Sequence, residues 1–155
     1  ETWKAFEKLY ADGAVRAIGV SNFMPHHLEE LIANSDIVPA VNQFEIHPTL
    51  QQRAAQDACR QHGVAIEAYG PIGQGEDLAL PAIVDIAAAR GVTPAQVVLR
   101  WHIQQGHIIF PKSNNPERIR ENLDLFDFEL SDDEQSAITA LERGGRVSAH
   151  PDEVN

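Results

Sequence analysis

Short apolar runs alternate with amphipathic segments along the whole chain. The apolar runs are rich in Val, Ile and Ala, as buried strands of parallel sheets are, and they predict strands over residues 15–20, 40–44, 64–69 and 107–110. In the other segments apolar residues recur at helical spacing, which predicts helices over residues 1–12, 25–33, 50–62, 79–90, 94–105, from 116 onward, and 132–143. Strands and helices therefore alternate along the chain.

Several helix ends carry local signals. Thr49 is suited to cap the helix that follows it, and Gly63 is suited to end that helix. Ser131 and Glu134 have the spacing of a capping box. The last helix is therefore expected to begin directly after Ser131.

Strands that alternate with helices pair in parallel through right-handed crossovers. Four such units are compatible with a small open α/β sheet or with half of a (β/α)₈ barrel, and both folds bind ligands beyond the carboxyl ends of the strands. The polar residues of the predicted strand tips concentrate at that edge. They are Ser21 and Asn22, Gln43, Tyr69 with its glycine-rich loop, and Lys112 with Ser113.

The charge balance narrows the range of partners. The 155 residues contain 12 Lys and Arg against 23 Asp and Glu, and this net charge of −11 disfavours nonspecific binding to nucleic acid or to an anionic membrane. No apolar run approaches the roughly 20 residues of a membrane span. A single cysteine, Cys59, excludes an internal disulfide framework and is typical of a reducing compartment, so we expect a cytoplasmic protein.

Residues 110–113 (Phe-Pro-Lys-Ser) open the strongest candidate site. Pro111 ends the last apolar run because it cannot donate to a sheet, and Lys112 follows at once. A helix begins at Pro116, and its first N–H groups, with Lys112 and Arg118, would form a positive pocket suited to a phosphate. The alternative that the spacing leaves open is a plain strand–loop–helix connection with solvated charges.

The other strand tips offer groups for the flat, polar parts of a ligand. Ser21, Asn22 and Gln43 could together grip an amide or carbonyl, or they could satisfy nearby backbone as loop residues do. Tyr69 could stack on a planar ring or pack as a partly buried core residue. The loop 70–75 (Gly-Pro-Ile-Gly-Gln-Gly) could approach a diphosphate, but it is not GxGxxG, and an ordinary loop is the alternative.

Seven histidines raise the question of a metal site. His26 and His27 are adjacent, so their side chains are expected to diverge on a helix. Glu45 and His47 could point the same way at a strand end, but no third ligand has a convincing spacing. We therefore predict structural or surface roles for the histidines and no metal, and we find no serine–histidine–aspartate order typical of a hydrolase.

Seven stretches of the chain together resemble the aldo-keto reductase family. They cover nearly the whole chain in the family's order, and they are 17–23 (AIGVSNF), 39–43 (PAVNQ), 45–48 (EIHP), 68–73 (AYGPIG), 93–101 (TPAQVVLRW), 110–122 (FPKSNNPERIREN) and 126–131 (FDFELS). Within that family, the short loop after Tyr69 and the tail 145–154 are similar to bacterial 2,5-diketo-D-gluconate reductases.

The resemblance implies an α/β fold, the carboxyl-terminal half of one (β/α)₈ TIM barrel over residues 1–155, and an NADPH-dependent reductase of aldehydes or ketones such as keto-sugar acids. By that resemblance, Ser21, Asn22 and Gln43 would hold the nicotinamide carboxamide, and Tyr69 would stack on its ring. The other contacts would be Gly70, Pro71, Ile72, Gly73 and Gln74 at the diphosphate, Lys112, Ser113, Arg118 and nearby Asn114 at the 2′-phosphate, and Glu121 and Asn122 at the adenine. We expect the full-length protein to be a monomer.

The chain also departs from the family pattern. Gly70 stands where the family often has Ser, as in the diketogluconate branch. Asn115 stands where that branch often has a basic residue, so we expect weaker discrimination between NADPH and NADH. That branch also often has Trp at the position of Tyr69. The family's catalytic Asp, Tyr, Lys and His precede the helix in which this sequence starts, so none is assigned here.

Three functions follow as alternatives. The first is the reductase, in which case this chain alone is expected to be inactive and to have unpaired edge strands. The second is a non-catalytic nucleotide-binding partner subunit of the same fold. The third, with the least support, is a metal-dependent barrel hydrolase.

Overall fold

The computed structural model describes residues 1–153, so Val154, part of the tail that resembles the diketogluconate reductases, lies outside the described residues. A four-stranded parallel sheet has the order β1-β2-β3-β4. The strands are β1 Val20–Ser21, β2 Val41–Glu45, β3 Ala65–Tyr69 and β4 Ile108–Ile109. Each strand pairs with the next one along the chain, as in a (β/α)₈ barrel, whereas a doubly wound sheet reverses its order.

Seven α-helices and two 3₁₀ segments accompany the sheet within residues 1–153. The α-helices are α1 Thr2–Ala11, α2 Pro25–Ala33, α3 Arg53–Gln61, α4 Pro81–Arg90, α5 Pro94–Gln104, α6 Pro116–Glu121 and α7 Asp132–Thr139, and the 3₁₀ segments are Gly73–Ala79 and Pro151–Glu153. No single helix of this part of the chain is long and apolar enough to cross a membrane. Only α4 and α5 taken together reach that length, with a bend of 95° between them.

The two faces of the sheet differ in burial. Phe44 and Ala68 lie on the face that packs against the helices and are fully buried, with Leu28, Cys59 and Val98 around them. Cys59 is buried on α3, which agrees with its prediction as a small core residue within a helix. On the opposite face Gln43, Glu67 and Tyr69 are only half-buried. A polar, half-exposed inner face is what half of a barrel presents, because the barrel interior is filled from strands all round the ring.

Much of the predicted order of elements is confirmed. The helix predicted over residues 25–33 has those bounds, and Gly63 follows α3 in the left-handed conformation, with φ of 68°. Ser131 and Glu134 form the predicted capping box at the start of α7.

Three boundaries were predicted wrongly. The first strand covers only Val20–Ser21, the two residues that pair with β2. Thr49 does not cap α3, which begins at Arg53, because Thr49 belongs to a tight turn and its hydroxyl donates to Asp77 Oδ1 at 2.8 Å. The last helix ends at Thr139, since the chain then turns so that the N–H groups of Arg143 and Gly145 reach the carbonyl of Thr49.

Candidate functional site

A cavity of about 770 Å³ lies at the carboxyl edge of the sheet, beyond β3 and β4. Its walls come from the loop after β3, the start of α5, the tip of β4 and one side of α6. It brings together predicted residues that lie up to about a third of the chain apart in sequence. These are Gly70, Pro71, Ile72, Gln74, Lys112, Ser113, Arg118, Glu121 and Asn122. The start of α5, at Thr93, Pro94 and Ala95, is a part of the wall that sequence reasoning missed.

The loop after β3 owes its shape to residues with positive φ. Gly70, Gly73, Gln74 and Gly75 have φ of 59°, 56°, 54° and 98°. Successive tight turns result, with the N–H of Gly73 donating to the carbonyl of Gly70 at 2.9 Å and the N–H of Gly75 to that of Ile72 at 2.8 Å. The glycine-rich stretch is therefore a defined turn that leads into the 3₁₀ segment, which the sequence did not predict.

The far end of the cavity carries two positive side chains. Lys112 and Arg118 both line it, and neither has an ion-pair partner within residues 1–153. The first N–H groups of α6 do not contribute as predicted. The side-chain oxygen of Asn115 accepts from the N–H of Glu117 at 2.8 Å and of Arg118 at 3.4 Å, so it caps this helix. An anion here would meet side-chain cations and the Ser113 hydroxyl rather than a free helix end.

A second cavity, of about 450 Å³, is lined by Ser21, Asn22 and Tyr69 and closed by the tail at Ser148 and Pro151. Asn22 adopts a φ of 60°, which is uncommon for a residue with a side chain. Its Oδ1 is buried and has no hydrogen-bond partner within residues 1–153. A buried acceptor without a donor is costly unless a ligand supplies one. An N–H or O–H donor from a ligand or a water molecule would satisfy this atom.

Ser21 and Gln43 are partly engaged elsewhere. The Ser21 hydroxyl donates to the carbonyl of Gln43 at 2.9 Å, which is the backbone-satisfying role left open for it. The Gln43 amide donates to Glu67 at 2.6 Å across the β2–β3 pair. Three of the predicted residues line neither cavity. These are Gln43, Gly73 and Asn114.

Sequence reasoning missed a buried charged network beside the two cavities. His47 lies between two carboxylates, with Nε2 3.1 Å from Glu45 Oε1 and Nδ1 2.9 Å from Asp77 Oδ2. All three side chains are at most 1% exposed. The i, i+2 spacing of Glu45 and His47 did indicate that both point one way. Asp77, 30 residues further on, could be found only from the fold.

The network sets the charge of its members. Burial acts to lower the pKa of His47, but hydrogen bonds and charge from Asp77 and then Glu45 outweigh it, so this pKa is raised. Burial acts to raise the pKa of Glu45 and of Asp77. Hydrogen bonds, mainly from Ser148 to Glu45 and from His47 to Asp77, outweigh it and keep both carboxyl pKa values below their ordinary range. The centre is therefore an imidazolium between two carboxylates.

The expectation that His26 and His27 diverge is wrong. They occupy the first turn of α2, their rings lie 3.9 Å apart, and both Nε2 atoms are 3.5 Å from Asp152 Oδ1 in the tail. The N–H of Met24 donates to His27 Nδ1 at 3.2 Å, which leaves the ring proton of a neutral His27 on Nε2. A metal needs that nitrogen without its proton, so the contact suits a hydrogen bond to Asp152 better than a metal ion.

Together, the sheet order and the cavities at the strand tips define half of a β/α barrel with a candidate ligand site at the carboxyl edge. The chain belongs to the aldo/keto reductase family, because the sequence profile of that family matches residues 1–143. It is 52% identical over 155 residues to an aldo-keto reductase of Mycolicibacterium smegmatis and 48% identical over 154 residues to the glyoxal reductase of Bacillus subtilis. These alignments cover 100% and 99% of this chain but 56% of each relative.

Solved structures agree with this assignment. A mutant of Gox0644 in complex with NADPH superposes with a TM-score of 0.97 at 46% identity, over 100% of this chain and 58% of that one. An aldo-keto reductase from a deep-sea metagenome library superposes with a TM-score of 0.96 at 40% identity, over 99% of this chain and 59% of that one. The predicted family and the predicted half-barrel fold are therefore confirmed.

Proposed function

We propose that this chain is the carboxyl-terminal half of a single barrel domain and that it supplies the NADPH site of a carbonyl reductase. The observation that supports it most directly is the 770 Å³ cavity, lined by a tight glycine-rich turn and by two cations, Lys112 and Arg118, that have no ion-pair partner among residues 1–153. Such a cavity suits an extended dinucleotide with a diphosphate at one end and a further phosphate at the other. The related structure with NADPH is consistent with this coenzyme.

We assign the nicotinamide end to the second cavity. Asn22 Oδ1, buried without a partner within residues 1–153, would accept the carboxamide N–H, and the half-buried Tyr69 ring would stack on the nicotinamide. Ser21, beside them, adds a hydroxyl. Gln43 would join only by giving up its bond to Glu67.

The reaction divides between coenzyme and protein. Bound NADPH supplies a hydride to a carbonyl carbon. The residues of this chain bind the coenzyme and hold its nicotinamide ring at the strand tips, and the group that protonates the carbonyl oxygen is not among those assigned here. The substrate class is small aldehydes and ketones, and the resemblance of the loop and tail favours keto-sugar acids.

Arg118 provides the test. In the natural polypeptide, Arg118→Ala is expected to weaken NADPH binding about 10- to 100-fold, because a hydrogen bond to a charged group contributes about 1.5–3 kcal/mol. NADH lacks the 2′-phosphate, so its affinity should stay within about twofold. Coenzyme fluorescence titration measures both affinities, and Arg120→Ala is the matched control, since Arg120 lies on the same helix but does not line the cavity. Equal losses for NADPH and NADH would refute the assignment.

Activity is tested separately from binding. The chain of residues 1–155 alone is expected to bind NADPH without oxidising it in the presence of glyoxal or a keto-sugar acid. The natural polypeptide should oxidise NADPH with at least one such carbonyl compound. Binding without oxidation by the natural polypeptide would instead favour the non-catalytic partner subunit.

A further inference from the structure

We propose that Ser148 is a positioning residue: the carboxyl-terminal segment 146–148, held by the buried network of Glu45, His47 and Asp77, fixes the orientation of the Tyr69 ring. This inference rests on the proposed function, because Tyr69 matters as the ring on which the nicotinamide would stack. Ser148 is not among the coenzyme contacts that the family resemblance implies, so its role in coenzyme binding is new.

The contacts form one continuous path. The Tyr69 hydroxyl lies 3.0 Å from Ser148 Oγ, and Ser148 Oγ in turn contacts Glu45 Oε2. Glu45 also accepts the N–H of Val147 at 2.7 Å and that of Ser148 at 3.2 Å, so its two oxygens hold the tail backbone. Glu45 is fully buried, and the tail segment therefore lies on a fixed support.

The chemistry of the groups fixes the direction of each hydrogen bond. An ionised carboxylate can only accept, so the single proton of the Ser148 hydroxyl goes to Glu45. Ser148 Oγ is then left as an acceptor, and the proton between it and Tyr69 must come from the phenol. The Tyr69 O–H is thus directed at the tail, which restricts the tilt of the ring beside the second cavity.

Charge balance explains why the support is rigid. Two buried carboxylates, Glu45 and Asp77, face one imidazolium, His47, and the guanidinium of Arg146 lies 3.6 Å from Glu45 Oε2. Removing one charge from such a cluster leaves another uncompensated, which is costly in a buried site. The groups therefore hold one another in place.

The other end of the network packs against the turn beside the first cavity. Asp77 accepts from the Thr49 hydroxyl at 2.8 Å, and a Cβ on Gly73 would lie 2.9 Å from Asp77 Cγ. The same buried cluster therefore packs against the turn of the proposed diphosphate site and holds the tail of the proposed nicotinamide site. Coenzyme binding and tail placement should be coupled through it.

Substitutions at the Tyr69–Ser148 contact test the inference in the natural polypeptide. Ser148→Ala is expected to weaken coenzyme binding about three- to tenfold, the size of one hydrogen bond, and by the same factor for NADPH and NADH. Ser148→Thr, which keeps the hydroxyl, should restore most of the affinity. Ser136→Ala is the control, because Ser136 is exposed on α7 and lines neither cavity.

A double-mutant cycle separates positioning from a general structural effect. Tyr69→Phe and Ser148→Ala remove the same hydrogen bond. The coenzyme affinity of the double variant should therefore equal that of whichever single variant has the lower affinity. A loss equal to the product of the two single losses would overturn the inference, and so would wild-type affinity in Ser148→Ala. Failure of the proposed function is a different result, since it is seen as no coenzyme binding by the unsubstituted protein.

The pH profile is a second readout. The charged groups that face the path are Glu45, His47, Asp77 and Arg146, and His102 on α5 interacts with His47. The readout follows His47, whose pKa is raised because hydrogen bonds and charge from Asp77 and Glu45 outweigh its burial. Affinity of the unsubstituted protein for NADH should therefore fall as the pH rises through that pKa. In Ser148→Ala this fall should shrink, because Tyr69 is no longer connected to the cluster, and an unchanged fall would contradict the inference.

Discussion

At the scale of single residues, Gly73 joins a backbone conformation to a packing contact. Its φ is 56°, and an added Cβ would meet Asp77 Cγ at 2.9 Å. We expect Gly73→Ala to lower the free energy of unfolding by about 1–2 kcal/mol for the left-handed conformation, with a further loss for the clash. Gly13→Ala is the matched control, since Gly13 has a φ of 71° but nothing within 4 Å of an added Cβ. Chemical denaturation measures both, and equal losses would exclude the clash.

Two buried histidines beneath the same loop, His102 and His107, make three hydrogen-bond contacts but supply only two protons when both are neutral. His102 bonds the carbonyl of Pro71 at 2.9 Å through Nε2 and His107 at 3.0 Å through Nδ1, and His107 Nε2 lies 3.0 Å from Gln56 Oε1. Both ends accept, because Gln56 Oε1 also receives a bond from Arg60 and its Nε2 donates to another carbonyl. Three contacts need three protons, whereas two neutral imidazoles supply two.

The fold leaves this deficit unfilled at neutral pH. Burial, with mutual repulsion second, lowers the pKa of His102 to about 3, and burial lowers that of His107 to about 4, the charge of Arg60 adding to it. The unfolded chain therefore binds more protons than the folded chain between pH 6.5 and 4. Stability should fall as the pH drops through that window, by up to about 1.4 kcal/mol per pH unit for each histidine.

His107→Gln tests whether His107 contributes to this loss of stability at low pH. The glutamine amide can still donate to His102 but does not titrate, so one of the two contributions disappears. The slope of unfolding free energy against pH between 6.5 and 4 should therefore fall by the contribution of one histidine, as measured by urea denaturation at several pH values. A variant with the same slope as the unsubstituted protein would show that His107 is not neutral in the folded state.

The parts of the candidate site that residues close together in sequence form could be predicted from the sequence. Lys112 and Arg118 lie on either side of one helix start, and both line the cavity as expected. The cap of that helix was missed because Asn115 and Asn114 are the same residue type and only the backbone shows which one reaches the N–H groups. Asp77 was missed because its partner, His47, lies 30 residues away and no local pattern connects them.

At the scale of elements, α6 carries the proposed phosphate site on a helix of only six residues. Asn115 caps it, and aspartate caps helices as well as asparagine does. Asn115→Asp should therefore leave stability unchanged within about 0.5 kcal/mol while adding a negative charge beside Lys112 and Arg118. NADPH affinity should fall several-fold and NADH affinity should not, by fluorescence titration.

Asn115→Ser is the control for that experiment, because serine also caps the helix but adds no charge. It should bind NADPH as the unsubstituted protein does. A similar loss in both variants would mean that the shape of the cap, not its charge, controls the site.

The same contrast between local and distant information explains the errors in element boundaries. The start of α7 was predicted correctly because Ser131 and Glu134 satisfy each other within one turn. Its end was not, because the chain leaves the helix in order to reach the carbonyl of Thr49 far back in sequence. The first strand was predicted too long because only Val20 and Ser21 find partners in β2, and apolar composition does not reveal pairing.

At the scale of the molecule, the sheet has two free edges within residues 1–153, on β1 and β4. Unpaired edges promote association between chains. Near β4, Ile108 is 49% exposed and Phe110 is 44% exposed, so backbone groups and apolar side chains are accessible together. The net charge of −11 opposes association in general.

We therefore expect residues 1–155 produced alone to associate through the β4 edge, and Ile108→Lys to reduce that association, because a lysine on an edge strand disfavours strand pairing with another chain. Sedimentation velocity over a range of concentrations measures the effect. Val84→Lys makes the same chemical change at a residue that is 42% exposed on α4, away from the sheet edge. If Val84→Lys lowered association as much as Ile108→Lys, the added charge rather than the edge would be responsible, and if neither did, association would proceed through another surface.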